Sequence, residues 1–332
     1  MDTKSITVAG AGILGIWQAL TLAKAGHKVR ILEASGAPFV NAASRWAGVM
    51  LAPDCEAESA PAVVRDLGRE AMALWRAAYP GIVEYGTLVV AAARDQSELQ
   101  RFARATDKHR NVDESAIADL EPDLGGLFQA GLFFAHEAHF NALSALGYLL
   151  EEAKRAGVTI EFGREWQGAR DGFIIDCRGF AARGDFKDLR GVRGERLIVR
   201  SKDVSLRRPV RLLHPRQPIY VVPQGDGRFV VGATVIERED DGPMTVRSAL
   251  ELLGSAYALH PAFAEAEVLD MGAGVRPAFP DNVPRIEIAD EGRFIRVNGA
   301  YRHGFLLAPV LAAAVEQFLA TGARRHPLIV AR

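Results

Sequence analysis

The chain has 332 residues, 49% hydrophobic and 24% charged, with a formal net charge of −1. That length suits two domains with substantial cores, and the near-neutral balance excludes a global field for nucleic acid or an anionic membrane. Two cysteines without C-x-x-C spacing, Cys55 and Cys177, exclude a disulfide scaffold or a cysteine-rich metal site and point to a reducing, cytoplasmic setting.

A strand pattern, Ser5 to Ala9, runs into Gly10-Ala11-Gly12-Ile13-Leu14-Gly15, a G-x-G-x-x-G. A helix pattern follows with Ile13, Ile16, Trp17, Leu20 and Ala23 on one face, and Gly26 stands where a helix C-cap belongs. Lys28 to Leu32 is a second strand that Glu33 closes. In such a unit Gly10 makes the tight turn, Gly12 admits a pyrophosphate, and Gly15 lets helix and strand pack closely. The helix N-terminus then offers free amides to the phosphates. Glu33 is placed to accept from a ribose diol and would repel a 2′-phosphate, which disfavours NADP. The motif itself leaves NAD and FAD both open. With a strand beginning by residue 5, no signal or transit peptide is expected.

Residues 62–78 predict a helix with Val63, Leu67, Ala71, Leu74 and Trp75 on one side. Strands are expected at 86–93 and 131–135, then a helix at 142–156 and a strand at 158–162. The pair His136 and His139 is three apart, not the four a zinc-binding helix requires, so no metal is expected. Ile174 to Cys177 is a buried-strand candidate ending on Gly179. From Arg178 to Arg216 twelve basic residues face four acidic ones, a pattern read as a solvated face or subunit contact. Homo-oligomerisation is compatible with it. Tyr220-Val221-Val222 and Phe229-Val230-Val231 flank an Asp-Gly turn and predict a hairpin. A last strand at 294–297 leads through Asn298 to Gly304 into a helix, with Pro309 expected in its first turn. The apolar run Phe305 to Val315 contains Pro309 and stops at Glu316, too short for a membrane span. Nucleotide-domain segments thus stand at the start, middle and end, with antiparallel segments inserted between them.

Three stretches together resemble the FAD-dependent D-amino-acid oxidase and glycine oxidase family, with glycine oxidases of thiamine biosynthesis nearest in likeness. They are the glycine fingerprint, the loop Ala43 to Pro53 with Cys55 to Glu58, and Gly274-Val275-Arg276-Pro277 with Asn298 to Pro309. Tyr220 to Pro223 and Val231 to Thr234 also match that family's substrate-domain hairpin. The resemblance implies an α/β fold: a Rossmann-type FAD-binding domain of the glutathione-reductase-like class (1–84, 138–194, 271–332) interleaved with an antiparallel substrate domain (85–137, 195–270). It implies noncovalent FAD, contacted by Gly10, Gly12, Ile13, Leu14, Gly15, Glu33, Ala34, Ser44, Arg45, Ala47, Gly48, Val49, Trp166, Gly179 and the run Ala300, Tyr301, Arg302, His303, Gly304, Phe305, Leu306. One departure is Arg178, where the family carries a small residue before the glycine.

Oxidising an amino acid at its α-carbon requires holding the carboxylate aside while hydride leaves. A guanidinium does this through two parallel hydrogen bonds. Arg276 is the candidate, with a structural salt bridge as the alternative. Tyr220 could add a hydroxyl or be a half-buried strand aromatic, and Arg302 could serve carboxylate or flavin. No side chain is expected to act as a general base, since the flavin does the chemistry on a neutral amine. Val49, Met50, Leu51 and Val235 are candidate pocket walls. The expected function is oxidative deamination of a small amino acid such as glycine, with oxygen reduced to peroxide and the imine passing to a thiazole synthase. A D-amino-acid or sarcosine-type enzyme on the same fold is the nearest alternative; a nonenzymatic nucleotide-binding protein would lack the arginine anchor.

Overall fold

A computed structural model describes residues 3–169 and 172–330. Ser5–Ala9 (β1), Ile13–Lys24 (α1) and Lys28–Glu33 (β2) form a strand–helix–strand unit, with β1 and β2 parallel from Ser5↔Lys28 to Ala9↔Leu32. Gly10 turns at φ +97°, and a Cβ on Gly15 would stand 1.9 Å from the Gly10 carbonyl oxygen. The helix α1 is buried on more than the one face its periodicity predicts: Ile13, Leu14, Ile16, Trp17, Gln18, Ala19, Leu20 and Leu22 are all covered. A helix apolar nearly all round belongs inside a domain.

The chain then contributes Met50–Leu51 (β3), Pro53–Glu56 (α2) and Ala62–Ala78 (α3), followed by Thr87–Ala91 (β4), Gln96–Ala105 (α4), Arg110–Asp113 (β5), Glu114–Leu120 (α5) and Ala130–Phe134 (β6). It returns through Ala138–His139 (β7), Ala142–Arg155 (α6), Thr159–Phe162 (β8) and Phe173–Asp176 (β9). Next come Arg190–Arg200 (β10), Val210–Leu213 (β11), Ile219–Pro223 (β12), Arg228–Gly232 (β13), Val246–Leu259 (α7) and Glu267–Ala278 (β14). Arg285–Ala289 (β15), Phe294–Asn298 (β16), Gly304–Thr321 (α8) and Ile329–Val330 (β17) complete it.

Seven strands form one sheet in the order β17-β15-β16-β9-β1-β2-β8, parallel except for the β15–β16 pair. Eight form a second, β14-β10-β13-β12-β11-β4-β6-β5. The second sheet is mixed and not purely antiparallel, because β4 and β11 run parallel from Leu88↔Val210 to Ala91↔Leu213. Each sheet has its own core. Around the first pack α1, α6 and α8 with Val8, Ile31, Leu146 and Leu311; the second buries Leu197, Val221, Val231, Leu252 and Leu259 beneath α7. Residues 190–194 and 271–278 lie on β10 and β14 and so belong to the second sheet, not to the nucleotide-binding segments expected to contain them.

Pro309 stands five residues after Gly304, inside α8 and beyond its first turn. A proline there has no N–H for the carbonyl four residues back. That carbonyl, Phe305, accepts instead from the Trp75 indole Nε1 at 2.8 Å. The helix reaches Thr321 and is, at 18 residues, long and apolar enough to cross a membrane by length and composition, contrary to the short run expected. Here it is the central helix of the first core, with Leu307, Leu311, Ala312 and Val315 fully buried.

The basic stretch is a solvated face only in part, at Arg183, Lys187, Arg200, Lys202, Arg207 and Arg216. Acidic residues, all but Glu195 from elsewhere in the chain, pair with six of its cations: Arg183 with Glu239, Arg190 with Glu237, Arg193 with Glu195 and Asp240, Arg196 with Asp270, Arg200 with Glu267 and Arg208 with Glu121. Arg193, Arg196 and Arg208 are themselves buried. Long guanidinium side chains can bind strands together in this way when each charge finds a partner.

Candidate functional site

Two helix N-termini meet at one end of the first sheet. A Cβ on Gly304, which opens α8, would lie 3.5 Å from Ile13 Cγ2 at the start of α1. Neither helix has an acidic residue in its first turn, and neither N-cap residue, Gly12 or His303, bonds an amide through its side chain. Ser44 Oγ accepts from the Ile13 amide at 3.1 Å. Free amides and positive dipole ends therefore converge on one region, which suits an anionic dinucleotide. A Cβ on Gly12 would meet nothing nearer than Ser44 Oγ at 3.7 Å, so the space before it is open.

The other sequence-predicted cofactor residues fall around this region in different ways. Glu33 already accepts from the Ala11 amide at 2.7 Å and from Ser35 through both its amide and hydroxyl. It braces the glycine turn, and a carboxylate with about four acceptor sites retains capacity for a ribose. Ala34 is exposed beside it, and Leu14 is buried. Gly179 turns at φ +59°, and its carbonyl accepts from the buried Asn298 Nδ2 at 2.8 Å. Arg178, the departure from the family pattern, forms a two-pronged pair with the fully buried Asp176, Nε to Oδ1 at 2.9 Å and Nη2 to Oδ2 at 2.8 Å. Its guanidinium also lies 4.7 Å from the Trp166 ring, which stacks on Phe294. Val49, Phe305 and Leu306 bury their side chains in the first core, leaving only backbone for a cofactor. Ala47 is half-buried, and Val49 and Leu51 are core residues while Val235 is exposed, so of the four candidate pocket walls only Met50 stays half-buried.

Across from the helix ends lies a face of the second sheet. Registers Tyr220↔Gly232, Gly232↔Arg196 and Arg196↔Gly272 place these four residues in one row, with Gly194↔Gly274 and Val192↔Arg276 in the rows beyond. Paired residues share a face, so Tyr220 and Arg276 do as well. The floor is glycine because side chains lie flat upon it. A Cβ on Gly194 would stand 2.0 Å from the Arg276 guanidinium carbon, one on Gly272 2.2 Å from the Trp46 ring, and one on Gly232 2.7 Å from the Tyr220 hydroxyl. Gly48 is also pressed against the Tyr220 ring, 2.6 Å from the Cβ position to Cε2. Arg45 and Arg196 lie over Trp46 at 5.0 and 4.8 Å.

Besides Arg45, three guanidiniums approach this face, and they differ in their partners. Arg196 has Asp270 at 3.2 Å. Arg302 donates to Glu56 Oε1 at 3.0 Å, and that carboxylate raises its pKa. Arg276, among the described residues, has no carboxylate partner and donates only to the Thr234 carbonyl at 3.2 Å. Burial lowers the Arg276 pKa, so an arriving carboxylate would be welcome there. The segment 300–303 is tied to the end of β14, since the Tyr301 amide donates to the Pro277 carbonyl at 2.9 Å and Ala300 bridges Ala278. His303 is buried with Nδ1 3.4 Å from Glu56 Oε2; burial brings its pKa down to about 4, and it stays neutral at working pH. Burial alone would raise the Glu56 carboxyl, but the facing cations, Arg302 foremost, bring it down to about 2.

Glu56, Trp46, Arg196 and Thr234 are site residues to which sequence reasoning gave no role. For the floor the signal was present, as the period-two run Gly272-x-Gly274-x-Arg276. Glu56 stood in the loop stretch that carries the resemblance, but nothing there marked its pairing with Arg302, 246 residues away.

The family described as DAO, FAD dependent oxidoreductase, matches residues 5–317. A protein of Rhizobium etli named as a thiamine biosynthesis oxidoreductase, ThiO, is 52% identical over 320 residues, covering 95% of this chain and 96% of its own. The glycine oxidase of Geobacillus kaustophilus is 27% identical over 350 residues (95% and 92% of the two chains), and a solved structure of glycine oxidase from that organism superposes with a TM-score of 0.82 at 22% identity, covering 96% and 95%. The bifunctional protein ThiO/ThiG of Trichormus variabilis is 25% identical over 354 residues, 96% of this chain but 53% of that longer one. The glycine turn, the paired helix ends and these likenesses agree: the chain is a member of the FAD-dependent oxidoreductase family, with FAD its cofactor.

Proposed function

We propose that the protein is a glycine oxidase of thiamine biosynthesis, converting glycine or a similarly small amino acid to its imine as oxygen is reduced to hydrogen peroxide. The observation that carries this reading is Arg276, a guanidinium with no carboxylate partner among the described residues, lying on a glycine floor whose strand is bonded to the segment that leads into α8. FAD, when bound, supplies the two-electron oxidant. Arg276 holds the substrate carboxylate through its fork, and the Tyr220 hydroxyl on the same face adds a second hydrogen bond. Neutral His303 offers no positive charge to the substrate amine. The free amides of α8 favour negative charge at the cofactor end of the cavity. Trp46 and Tyr220, packed on the floor, limit the room above it, which favours a substrate with little or no side chain.

The thiamine assignment is supported by the 52% identical relative. The fused ThiO/ThiG relative supports handing the imine to a thiazole synthase. Two buried, unpaired cysteines favour a cytoplasmic enzyme. For the domains, we propose that residues 1–84, 138–189 and 279–332 hold the cofactor and 85–137 and 190–278 the substrate, moving the edges to follow the strands. A peroxide assay across glycine, sarcosine and a panel of D-amino acids tests the substrate. Highest kcat/KM on glycine is expected. Preference for a bulky D-amino acid would replace the reading with a D-amino-acid oxidase.

A further inference from the structure

We infer that Glu56 is a specificity-determining residue: by occupying Arg302 it withholds that guanidinium from the substrate, and so favours substrates with a single carboxylate, held at Arg276. The inference rests on the carboxylate-binding part of the function proposed above. Glu56 ends α2, and α2 is fixed from below, since the Cys55 amide donates to the fully buried Glu137 at 2.7 Å. From there Glu56 Oε1 accepts from Arg302 at 3.0 Å and lies 3.8 Å from Arg211 on β11. The Tyr301 amide is bonded to the Pro277 carbonyl, so Arg302 and Arg276 each adjoin one partner of the same hydrogen bond.

The charges around the floor therefore sum in a particular way. Arg196 is matched by Asp270, Arg302 and Arg211 share Glu56, Arg45 lies over Trp46 and donates to the Val40 carbonyl, and Arg276 has no carboxylate partner among the described residues. A zwitterionic amino acid brings one carboxylate to Arg276. A substrate with a second carboxylate would meet the Glu56 charge, and Arg302 would not be free to receive it. Rejection by a fixed like charge is a specificity device distinct from the attraction that binds the right substrate. Removing that charge frees Arg302 and removes the repulsion, and between charges a few ångströms apart in a partly buried site the two effects together exceed a factor of ten.

The test uses the flavin-loaded enzyme and the inert anions acetate and malonate, whose affinities are read from perturbation of the visible flavin band. Glycine and iminodiacetate are assayed in parallel. Glu56→Gln is expected to raise the malonate-to-acetate affinity ratio, and the iminodiacetate-to-glycine kcat/KM ratio, at least tenfold over the native enzyme. Glu56→Gln with Arg302→Gln removes both charges and is expected to bring both ratios back to within threefold of native. A flavin-containing Glu56→Gln with unchanged ratios, or a double variant whose ratios stay raised, overturns the proposal. Should Glu56→Gln not retain flavin, Arg302→Gln alone decides, since it leaves Glu56 uncompensated: the malonate-to-acetate ratio is expected to fall at least threefold, and no fall overturns the proposal. Anion binding needs no turnover, so a shift in the malonate ratio in an enzyme inactive on glycine would discard the substrate reading and keep the charge selector.

Discussion

The Trp75 indole nitrogen donates at 2.8 Å to the Phe305 carbonyl, the group that Pro309 deprives of its helical partner. A side chain of α3 thus repairs the break in α8, and it does so within a cluster where Trp75 also packs on Trp17, Phe140 and Phe305. Trp75→Phe should keep much of the ring packing but lose the donor, at a cost of about 1–3 kcal/mol for a buried acceptor left unpaired. Adding Pro309→Ala restores an amide to that carbonyl and should recover part of the loss. Denaturant unfolding of the single and double variants measures both steps; equal stability of Trp75→Phe and native protein would show that the carbonyl does not need the indole.

Two glycines of the fingerprint should fail in different ways. Gly15→Ala places a methyl 1.9 Å from the Gly10 carbonyl oxygen, so the protein should express poorly or unfold at a markedly lower temperature. Gly12→Val adds its side chain to space that the protein leaves open, so the fold should survive and flavin retention should fail. Circular dichroism and the flavin absorbance of purified protein separate the two outcomes. A yellow Gly12→Val protein would show that the cofactor phosphates lie elsewhere.

Truncating a charged partner of the substrate typically costs about 2–5 kcal/mol. Arg276→Ala should accordingly lower kcat/KM on glycine by roughly thirty-fold to several thousand-fold, at about tenfold per 1.4 kcal/mol. Arg276→Lys should recover only part, because an ammonium keeps the charge and loses the fork. Flavin content should be normal in both variants. Tyr220→Phe should lose less, about 1.5–3 kcal/mol for one hydrogen bond to a charged group. Near-native efficiency of Arg276→Ala would move the anchor to Arg302.

Glu137 gives a pH dependence of opposite sign to most carboxylates. It is fully buried, and burial raises its pKa to about 7 despite the Cys55 amide it accepts from. The folded state holds this proton more tightly than the unfolded one, so the stabilisation is complete below the ordinary carboxyl pKa near 4.5 and is lost as pH rises through 7. Glu137→Gln mimics the protonated form at every pH. Its stability relative to native should therefore improve by about 2.5 kcal/mol between pH 5 and pH 8. Melting temperatures of both proteins across that range provide the measurement, and parallel curves would refute the raised pKa.

What the sequence made legible was local or periodic. The unit Ser5 to Glu33, the helix at 62–78 and the hairpin around Asp226-Gly227 each follow from spacing within a few residues, and all three stand in the structure. Arg276 and Tyr220 were placed by resemblance and by the chemistry of holding a carboxylate, and the registers put them on one face. What escaped depends on long-range pairing. Nothing near Arg196 announces Asp270, and nothing near Arg302 announces Glu56. For the same reason the basic stretch read as a solvated face. Its neutralising acids lie mostly in 237–240 and 267–270, and only the sheet brings them alongside. Pro309 misled because a rule about helix starts was applied where a distant indole makes an interior proline tolerable.

The glycine floor has a consequence for how such an enzyme can change over time. Where a binding wall is made of side chains, substitutions can reshape it a methyl group at a time. Here the surface beneath Trp46, Tyr220 and Arg276 is backbone, and even an added methyl at Gly194, Gly272 or Gly232 would collide with a group that defines the site. The end proposed to hold the carboxylate is thereby closed to gradual adjustment. New preferences must be acquired at the rim, through Met50, Glu56 and the turn around Val235, so lineages with different substrates should share an unchanging floor and diverge at its border.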